Sequence, residues 1–533
     1  MIPLAGEPTV IEIRLNQKEF DYELQALVNS FSPGQRSVVR VEEPTDIECE
    51  QMASEEPAWL IVQVRMDLRY FDVNVRLCHG QGEDCVLTYH GEPDVEGDFR
   101  KKQTPEERRI RTQYKNEVKA AVFTLLEKLP VPEYLPQIKW RIPGWGTMTG
   151  VRPTKIPMNM LEQGCSPEEV CQVMRQQYHC GQEQARLSIS IAQRELELMN
   201  VSGIRDGYSL YIGIPFCPTT CLYCSFASYP CAQFGHMIPE YMEALHREIQ
   251  SAAERFRGQK LRCIYVGGGT PTALDEVQIG RLMEWIHTYF APEDLFEFTV
   301  EAGRPDSITG AKLQVLRDAG VTRISVNPQT MQQRTLDLIG RRHTVEQTVS
   351  AFEMARKVGF DDINMDLIAG LPGETAEDFA DTLRQIDSLQ PDSITVHSLV
   401  IKRASRLRQV LDEGTMPERE REEAMEQMQQ LAREYAVRQG MEPYYMYRQK
   451  NSAGHGGSTG QENIGYAAPG KSCLYNILIM EEKQTILALG AGASTKVYEP
   501  EQNRVYRIEN VKSVKDYIER IDEMIHRKDG IGS

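Results

Sequence analysis

Between residues 208 and 400, short apolar segments alternate with longer helical patterns, and this alternation narrows the fold more than any other feature of the chain. The segments are YSLYIGI (208–214), RCIYV (262–266), FEFTVE (296–301), RISVN (323–327), DDINMDLI (361–368) and DSITVHSL (392–399). Helical patterns such as 239–256 and 345–358 separate them. Repeated strand–helix units imply a parallel sheet wound with right-handed crossovers. Six units suit a partial, open (β/α)6 barrel, since a closed one takes eight, and functional groups then gather at the C-terminal ends of the strands. The expected class is α/β.

The flanking regions have other patterns. Residues 1–165 read as an α+β N-terminal domain, 166–205 as a helical linker, 206–405 as the barrel, and 406–533 as a small C-terminal α/β region that covers the substrate. In the first domain, WLIVQVR (59–65) and YFDVNVRL (70–77) alternate as half-buried antiparallel strands do. Thr104-Pro105-Glu106-Glu107 is a capping-box start, followed by Ile110, Tyr114, Val118, Val122 and Leu125 on one helical face. No internal repeat and no catalytic motif is present in this half. Near the C-terminus the pattern predicts a helix over 417–440, a strand-rich piece over 477–508, and a last helix with Val514, Tyr517, Ile518, Ile521 and Ile525 on one side.

Charge and cysteine usage narrow the setting. A net charge of −17 argues against nucleic acid as a partner, because phosphate contacts need Lys and Arg. No stretch approaches the roughly 18 apolar residues of a membrane span, and the first residues do not read as a secretion signal. The expectation is a cytoplasmic protein without membrane association, whose 12 cysteines are kept reduced and form no disulfide framework.

Three of those cysteines cluster directly after the first barrel strand, in Ile214-Pro215-Phe216-Cys217-Pro218-Thr219-Thr220-Cys221-Leu222-Tyr223-Cys224. Thiolates in one loop select iron–sulfur clusters, zinc or Cu(I). A structural zinc takes four ligands, which Cys231 and His236 could help to complete, and buried unliganded thiols are a further alternative. The favoured reading places Cys217, Cys221 and Cys224 on a [4Fe–4S] cluster with one iron left open. The amino and carboxylate groups of S-adenosylmethionine (SAM) can chelate that iron, and one electron then releases a 5′-deoxyadenosyl radical. The cofactor carries the hard chemistry and the protein positions it.

Other strand ends carry polar or glycine-rich residues. Strand two ends in Gly267-Gly268-Gly269-Thr270-Pro271-Thr272, which lacks dinucleotide-binding spacing and is interrupted by Pro271. Glycines there let the backbone approach a ligand closely. Strand three ends in Glu301, strand four in Asn327-Pro328-Gln329, and strand five carries Asp366 before Gly370-Leu371-Pro372-Gly373. Singly, each is an ordinary loop residue; their recurrence points to one shared pocket.

The C-x3-C-x2-C spacing after a strand resembles the radical SAM superfamily. Within it, the chain resembles the oxygen-independent coproporphyrinogen III oxidase (coproporphyrinogen dehydrogenase) family, through Tyr211-x-x-Ile214-Pro215-Phe216-Cys217, the GGGTPT run, Gln329 followed by Arg341-Arg342-His343, and Asp366-Leu-Ile-x-Gly-Leu-Pro. Gly465-Tyr466-Ala467-x-Pro469-Gly470 and Leu489-Gly490-Ala491-Gly492-Ala493 extend the likeness, and Lys471-Ser472-Cys473-Leu474-Tyr475-Asn476-Ile477 is most like the HemZ-type branch. The resemblance implies Tyr211, Gly268 and Glu301 beside a cluster-bound SAM, with Tyr211 and the three cysteines as the catalytic set. It implies Tyr223, Gly269, Thr270, Gln329, Arg341 and Asp366 beside a second SAM.

The implied reaction is oxidative decarboxylation of two propionates of coproporphyrinogen III to vinyl groups, giving protoporphyrinogen IX in heme biosynthesis. A four-carboxylate tetrapyrrole calls for arginine clamps, for which Arg403, Arg406 and Arg448 are candidates. A low-potential electron donor such as flavodoxin or ferredoxin is the expected partner. The chain differs from the best-known dehydrogenases in having Gly213 in place of His and Phe226 in place of a fourth Cys. Related heme-transfer chaperones also end that motif with an aromatic, so a heme-binding chaperone is the alternative function. The chain lacks their His-Asn-x-x-Tyr-Trp signature. A tRNA-modifying radical SAM enzyme is a third reading, which the acidity disfavours.

Overall fold

The computed structural model describes residues 10–33, 35–41, 58–78, 84–201, 203–224, 228–290, 292, 294–399, 407, 418–449, 461–502 and 504–531. The chain divides into two compact units, Met1–Ser190 with Arg448–Gln461, and Ile191–Tyr447 with Glu462–Ser533.

The first unit is built on a five-stranded sheet. Its strands are β1 (Val10–Leu15), β2 (Arg36–Val41), β3 (Ala58–Met66), β4 (Phe71–Leu77) and β5 (Cys85–Gly91), in the order β2-β1-β3-β4-β5. The alternating segments pair antiparallel as their pattern predicts, with Leu60 opposite Leu77 and Val62 opposite Val75. Val73, Val75 and Leu77 therefore share one buried face. The helix Pro105–Glu127 covers that face and starts at the capping box of Thr104 and Glu107. Phe99 stacks on its Tyr114 at 3.9 Å.

The second unit holds the alternating region. All six expected strands form: β6 (Tyr208–Ile214), β9 (Leu261–Gly268), β10 (Glu297–Glu301), β11 (Arg323–Ser325), β12 (Ile363–Ala369) and β13 (Ser393–Ser398). Two short strands, β7 (Phe216–Cys217) and β8 (Tyr229–Pro230), pair by themselves outside this sheet. Each of the six lies parallel to the next in chain order, with Leu210 opposite Ile264, Val300 opposite Ile324, and Met365 opposite Ile394. This is the open, partial barrel that six βα units make. Beyond β13 lie β15 (Gln461–Ala467) and β14 (Glu442–Gln449), and beyond β6 lie β16 (Thr485–Leu489), β17 (Ser494–Glu499) and β18 (Arg504–Glu509).

The strand-rich stretch 477–508 carries β16, β17 and most of β18, and one expectation for the C-terminal region needs correction. The start of that stretch belongs to a helix, Leu474–Glu481. Its uninterrupted apolar run fits either state, and periodicity alone cannot choose. The choice falls to Glu297 of β10, whose carboxylate accepts from the amides of Leu474 (2.6 Å) and Tyr475 (3.4 Å) and caps the new helix. The final helix is two short ones, Val514–Glu519 and Ile521–His526, broken at Arg520. The helix predicted over 417–440 spans Glu418–Arg438 and buries Met425, Met428 and Tyr435; Pro417 lies outside the described residues.

An additional parallel strand, β16, pairs with β6 and places Leu487 opposite Leu210. At its end Gly490 adopts φ +102°, and a Cβ there would lie 2.5 Å from the carbonyl oxygen of Gly213. The Gly490 amide donates to the buried Glu248 at 2.8 Å. Glu248 also accepts from Tyr517 (2.5 Å), Asn510 (2.8 Å) and the ammonium of Lys528 (2.7 Å). This network ties the C-terminal helices to the barrel wall beside the first strand. Among the described residues, no helix is long and apolar enough to cross a membrane, and no cysteine pair forms a disulfide.

Candidate active site

The cysteine loop is fastened at both ends by the barrel. After β6, the Ile214 carbonyl accepts from the Gly269 amide and the Phe216 carbonyl from the Thr270 amide, each at 2.8 Å. A Cβ on Gly269 would fall 2.6 Å from the Phe216 oxygen and 3.0 Å from Cys217 Sγ, so glycine alone lets these two turns touch. Gly268 sits at φ +114°, which also favours glycine. Thr270 Oγ1 donates to Cys217 Sγ at 3.6 Å. Further along, the Leu222 amide donates to the Ile339 carbonyl at 3.0 Å, and Leu222 and Tyr223 pack against Ile339, Ile368, Leu371, Leu399 and Leu407. The Cys224 amide closes a turn on the Cys221 carbonyl at 3.1 Å.

The thiols differ in their electrostatic surroundings. Burial pushes Cys217 up to about 11 against the Thr270 hydrogen bond. Burial also opposes ionisation of Cys221, but the guanidinium groups of Arg341 and Arg304 outweigh it and hold this thiol below its ordinary value. Soft donors on a backbone path that excludes Cβ atoms, with cations beside them, fit an iron–sulfur cluster, whose sulfurs carry negative charge. A zinc ion would instead draw four donors to about 2.3 Å or less. Cys231 opens the helix Cys231–Phe234 and His236 lies in the turn after it.

The residues expected around a cluster-bound SAM come together on neighbouring strands. Glu301 ends β10, where its carboxylate accepts from Tyr265 at 2.5 Å. Burial pushes Glu301 up to about 7 against that hydrogen bond, and the neighbouring charge of Asp366 adds to the rise. Gly267 gives it room, since a Cβ there would lie 2.9 Å from Glu301 Cδ. Tyr211 of β6 stacks parallel to Tyr265 and Tyr475, each at 6.2 Å, and Tyr265 and Tyr475 stack at 4.4 Å. The three rings therefore form a triangular cluster, tied to Glu301 by the Tyr265 hydroxyl.

A carboxyl group raised in the folded state favours folding below its unfolded pKa, and that contribution fades as pH rises through the folded value. For Glu301 the window runs from about 4.5 to about 7. Glu301→Gln should flatten the dependence and stabilise the chain at pH 8 by about 1–3 kcal/mol relative to wild type. Denaturant melts of both proteins without cofactor, at pH 5 and pH 8, check this; parallel changes in the two proteins would contradict it.

The six residues expected around a second SAM fall into three places. Gly269 and Thr270 lie against Cys217, as above. Tyr223 and Arg341 lie with Cys221. Arg341 is buried and donates to the carbonyls of Asn327 and, at 3.3 Å, Pro328, while its Nε has no partner among the described residues. Gln329 and Asp366 are joined directly: the Gln329 amide donates to the Asp366 carbonyl at 2.9 Å, and the Ile368 amide donates back to Gln329 at 2.9 Å. Gln329 holds φ +66°, a conformation costing a side-chain-bearing residue about 1–3 kcal/mol and frequent at ligand clamps. Burial opposes ionisation of Asp366, yet His397, Asn364 and Thr395 together hold its carboxyl below the ordinary range. His397 Nε2 stands 3.9 Å from Asp366 Oδ2.

The proposed propionate clamps fare differently. Arg448 is buried in the first unit, donating to the Met148 carbonyl at 2.5 Å and lying over the Trp145 ring, so it is a packing residue there. Arg403, Arg406 and Phe226 lie outside the described residues. At 213, where the best-known dehydrogenases carry His, a Cβ would stand 3.3 Å from the Tyr211 ring and 3.5 Å from the Leu489 carbonyl of β16, so a side chain there needs only a small shift of the ring. Sequence reasoning missed Tyr265, Tyr475, Arg304 and His397. Arg304 stands three residues beyond Glu301, where a barrel strand end was already a signal, but the Cys221 sulfur it reaches lies 83 residues earlier in the chain.

The sequence model of the radical SAM superfamily matches residues 211–386, which implies a [4Fe–4S] cluster and SAM. The oxygen-independent coproporphyrinogen-III oxidase-like protein HemZ of Bacillus subtilis is 38% identical over 388 residues, covering 72% of this chain and 76% of that protein. The heme chaperone HemW of the same organism is 36% identical over 220 residues, 41% of this chain and 57% of the chaperone. The solved coproporphyrinogen III oxidase HemN of Escherichia coli aligns with a TM-score of 0.48 at 24% identity, over 62% of this chain and 72% of that one. The extent of the first match, with the cysteine loop at the head of a partial barrel, settles the affiliation: the chain belongs to the radical SAM superfamily and, within it, to the HemZ-like oxygen-independent coproporphyrinogen III oxidase family.

Proposed function

We propose that this chain decarboxylates two propionates of coproporphyrinogen III oxidatively, giving protoporphyrinogen IX without oxygen. The observation that supports this most is the reach of the likeness to the oxidase-like protein: 72% of this chain, against 41% for the heme chaperone. When bound, a [4Fe–4S] cluster on Cys217, Cys221 and Cys224, with SAM on its open iron, supplies the hydrogen-abstracting adenosyl radical.

The chain's own part is binding and orientation. Glu301, held by Tyr265, accepts from the amine or ribose of the first SAM, and the backbone at Gly268 passes close to it. Tyr211 forms the aromatic wall. Asp366 and Gln329 accept from the ribose of a second SAM along Tyr223, Gly269, Thr270 and Arg341. Asp366, held ionised by its neighbours, is the stronger acceptor of the two carboxylates near neutral pH. Each propionate loses a hydrogen atom from its β-carbon, CO2 and one electron to become vinyl. An acceptor takes that electron, and a cytoplasmic donor of flavodoxin or ferredoxin type delivers another to the cluster.

Anaerobic incubation of reconstituted protein with coproporphyrinogen III, SAM and a reductant, followed by mass analysis, tests the proposal. The expected product has lost CO2 and two hydrogens from each of two propionic acid groups. The 36% identity to a heme chaperone favours a second reading. Tight heme binding with no vinyl product would establish that one instead.

A further inference from the structure

Arg304 follows β10 and is 2% exposed. Its guanidinium forms a two-point clamp with Asp306, Nε to Oδ1 at 2.9 Å and Nη2 to Oδ2 at 2.7 Å. That clamp fixes the plane of the rigid fork. The remaining Nη1 points into the cysteine loop, donating to the Thr219 carbonyl at 3.4 Å and to Cys221 Sγ at 3.5 Å. The turn beneath is also held. Ser307 donates to the Arg304 carbonyl at 2.8 Å and pairs with Thr272 at 2.7 Å, and Lys312 reaches the carbonyls of Thr272 (2.8 Å) and Ser307 (3.1 Å). The turn that carries the cation is thus tied to the glycine-rich turn that carries Thr270.

Cys217 and Cys221 are not served alike. Cys217 receives the uncharged Thr270 hydroxyl at 3.6 Å. Cys221 has two buried guanidinium groups beside it, Arg341 and Arg304, and Arg304 is the one whose fork Asp306 orients. Buried His343, pushed down to about 3 by its own burial and by Arg341, adds no positive charge to the site. A hydrogen bond or cation at a ligating sulfur stabilises the more negative, reduced state of an iron–sulfur cluster and raises its potential.

We propose that Arg304 is a positioning residue that raises the reduction potential of the cluster through Cys221, easing entry of the single electron the chemistry needs. The proposal rests on the radical SAM reading of the site. The test is an anaerobic potentiometric titration of the iron-loaded full chain, followed by electron paramagnetic resonance, with iron content measured in parallel.

Arg304→Met should keep the wild-type iron content and shift the reduction equilibrium about tenfold toward the oxidised state, 59 mV lower for one electron. Arg304→Lys, which keeps the charge but not the fork, should shift less, and Arg304→Gln should fall between Lys and Met. An Arg304→Met chain with full iron and a wild-type potential overturns the proposal. Should that variant fail to take up iron, the Lys and Gln variants carry the same test, and wild-type potentials in both overturn it. A wild-type chain that takes up no iron overturns the family reading together with this proposal, whereas equal potentials in loaded chains overturn this proposal alone.

Discussion

Replacing Cys217, Cys221 and Cys224 together by serine is expected to reduce bound iron to background and SAM-dependent turnover to below about 10⁻³ of wild type, with the fold retained. A serine hydroxyl is close in size to a thiol, but it is neither soft nor ionised near neutral pH, so it cannot replace a thiolate on iron. The loop does not depend on its sulfurs for shape. Its backbone bonds run from Ile214 and Phe216 to the glycine-rich turn and from Leu222 to Ile339, and Leu222 and Tyr223 are anchored in an apolar cluster. Circular dichroism and melting should therefore stay near wild type while iron, sulfide and visible absorbance are lost. Any one of the three substitutions should suffice, because two thiolates cannot supply a three-ligand site. Iron retained by the triple variant would remove the foundation of the functional reading.

The second large effect concerns stability. Lys528→Met is expected to destabilise the chain by about 3–5 kcal/mol, since it leaves a buried carboxylate without its cation. The Glu248 and Lys528 side chains are 1% and 2% exposed and 2.7 Å apart. Glu248 would keep its bonds from Gly490, Tyr517 and Asn510, which places the loss toward the lower end of that range. The double variant Glu248→Gln/Lys528→Met should recover part of it, because the stranded charge is gone. Denaturant unfolding of Lys528→Met, Glu248→Gln, the double variant and wild type checks this. Additive losses would mean that the pair is not coupled. The Gly490 turn, packed on Gly213 behind the first barrel strand, should loosen in the single variant, which hydrogen exchange at those amides can follow.

How far the fold could be read along the chain varies with the range of the forces involved. The six barrel strands were visible because a strand covered on both faces is apolar throughout, and this signal is local. The β11 strand was read two residues too long. After Ser325, Asn327 turns its side chain to the Asp366 amide at 3.2 Å and its carbonyl to Arg341, so the backbone leaves the ladder. The parallel pairing of β16 with β6 joins segments about 275 residues apart, and nothing in either segment encodes the choice. Arg448 looked like a surface cation, but packing over Trp145 assigned it to a core.

The sequence by itself determined the βα alternation, the three thiols in one loop after the first strand, and the acidic and amide side chains at successive strand ends. These follow from periodicity and from the bonding preferences of side-chain types, which a short stretch of chain carries complete. Only the tertiary structure decided which charge faces which sulfur, which ring is tied to which carboxylate, and which lysine meets Glu248. Arg304 and Cys221 are 83 residues apart, and Glu248 and Lys528 are 280 apart. Burial turns such distant encounters into strong interactions, because charge in a medium of low polarity is costly alone and stable only beside its partner.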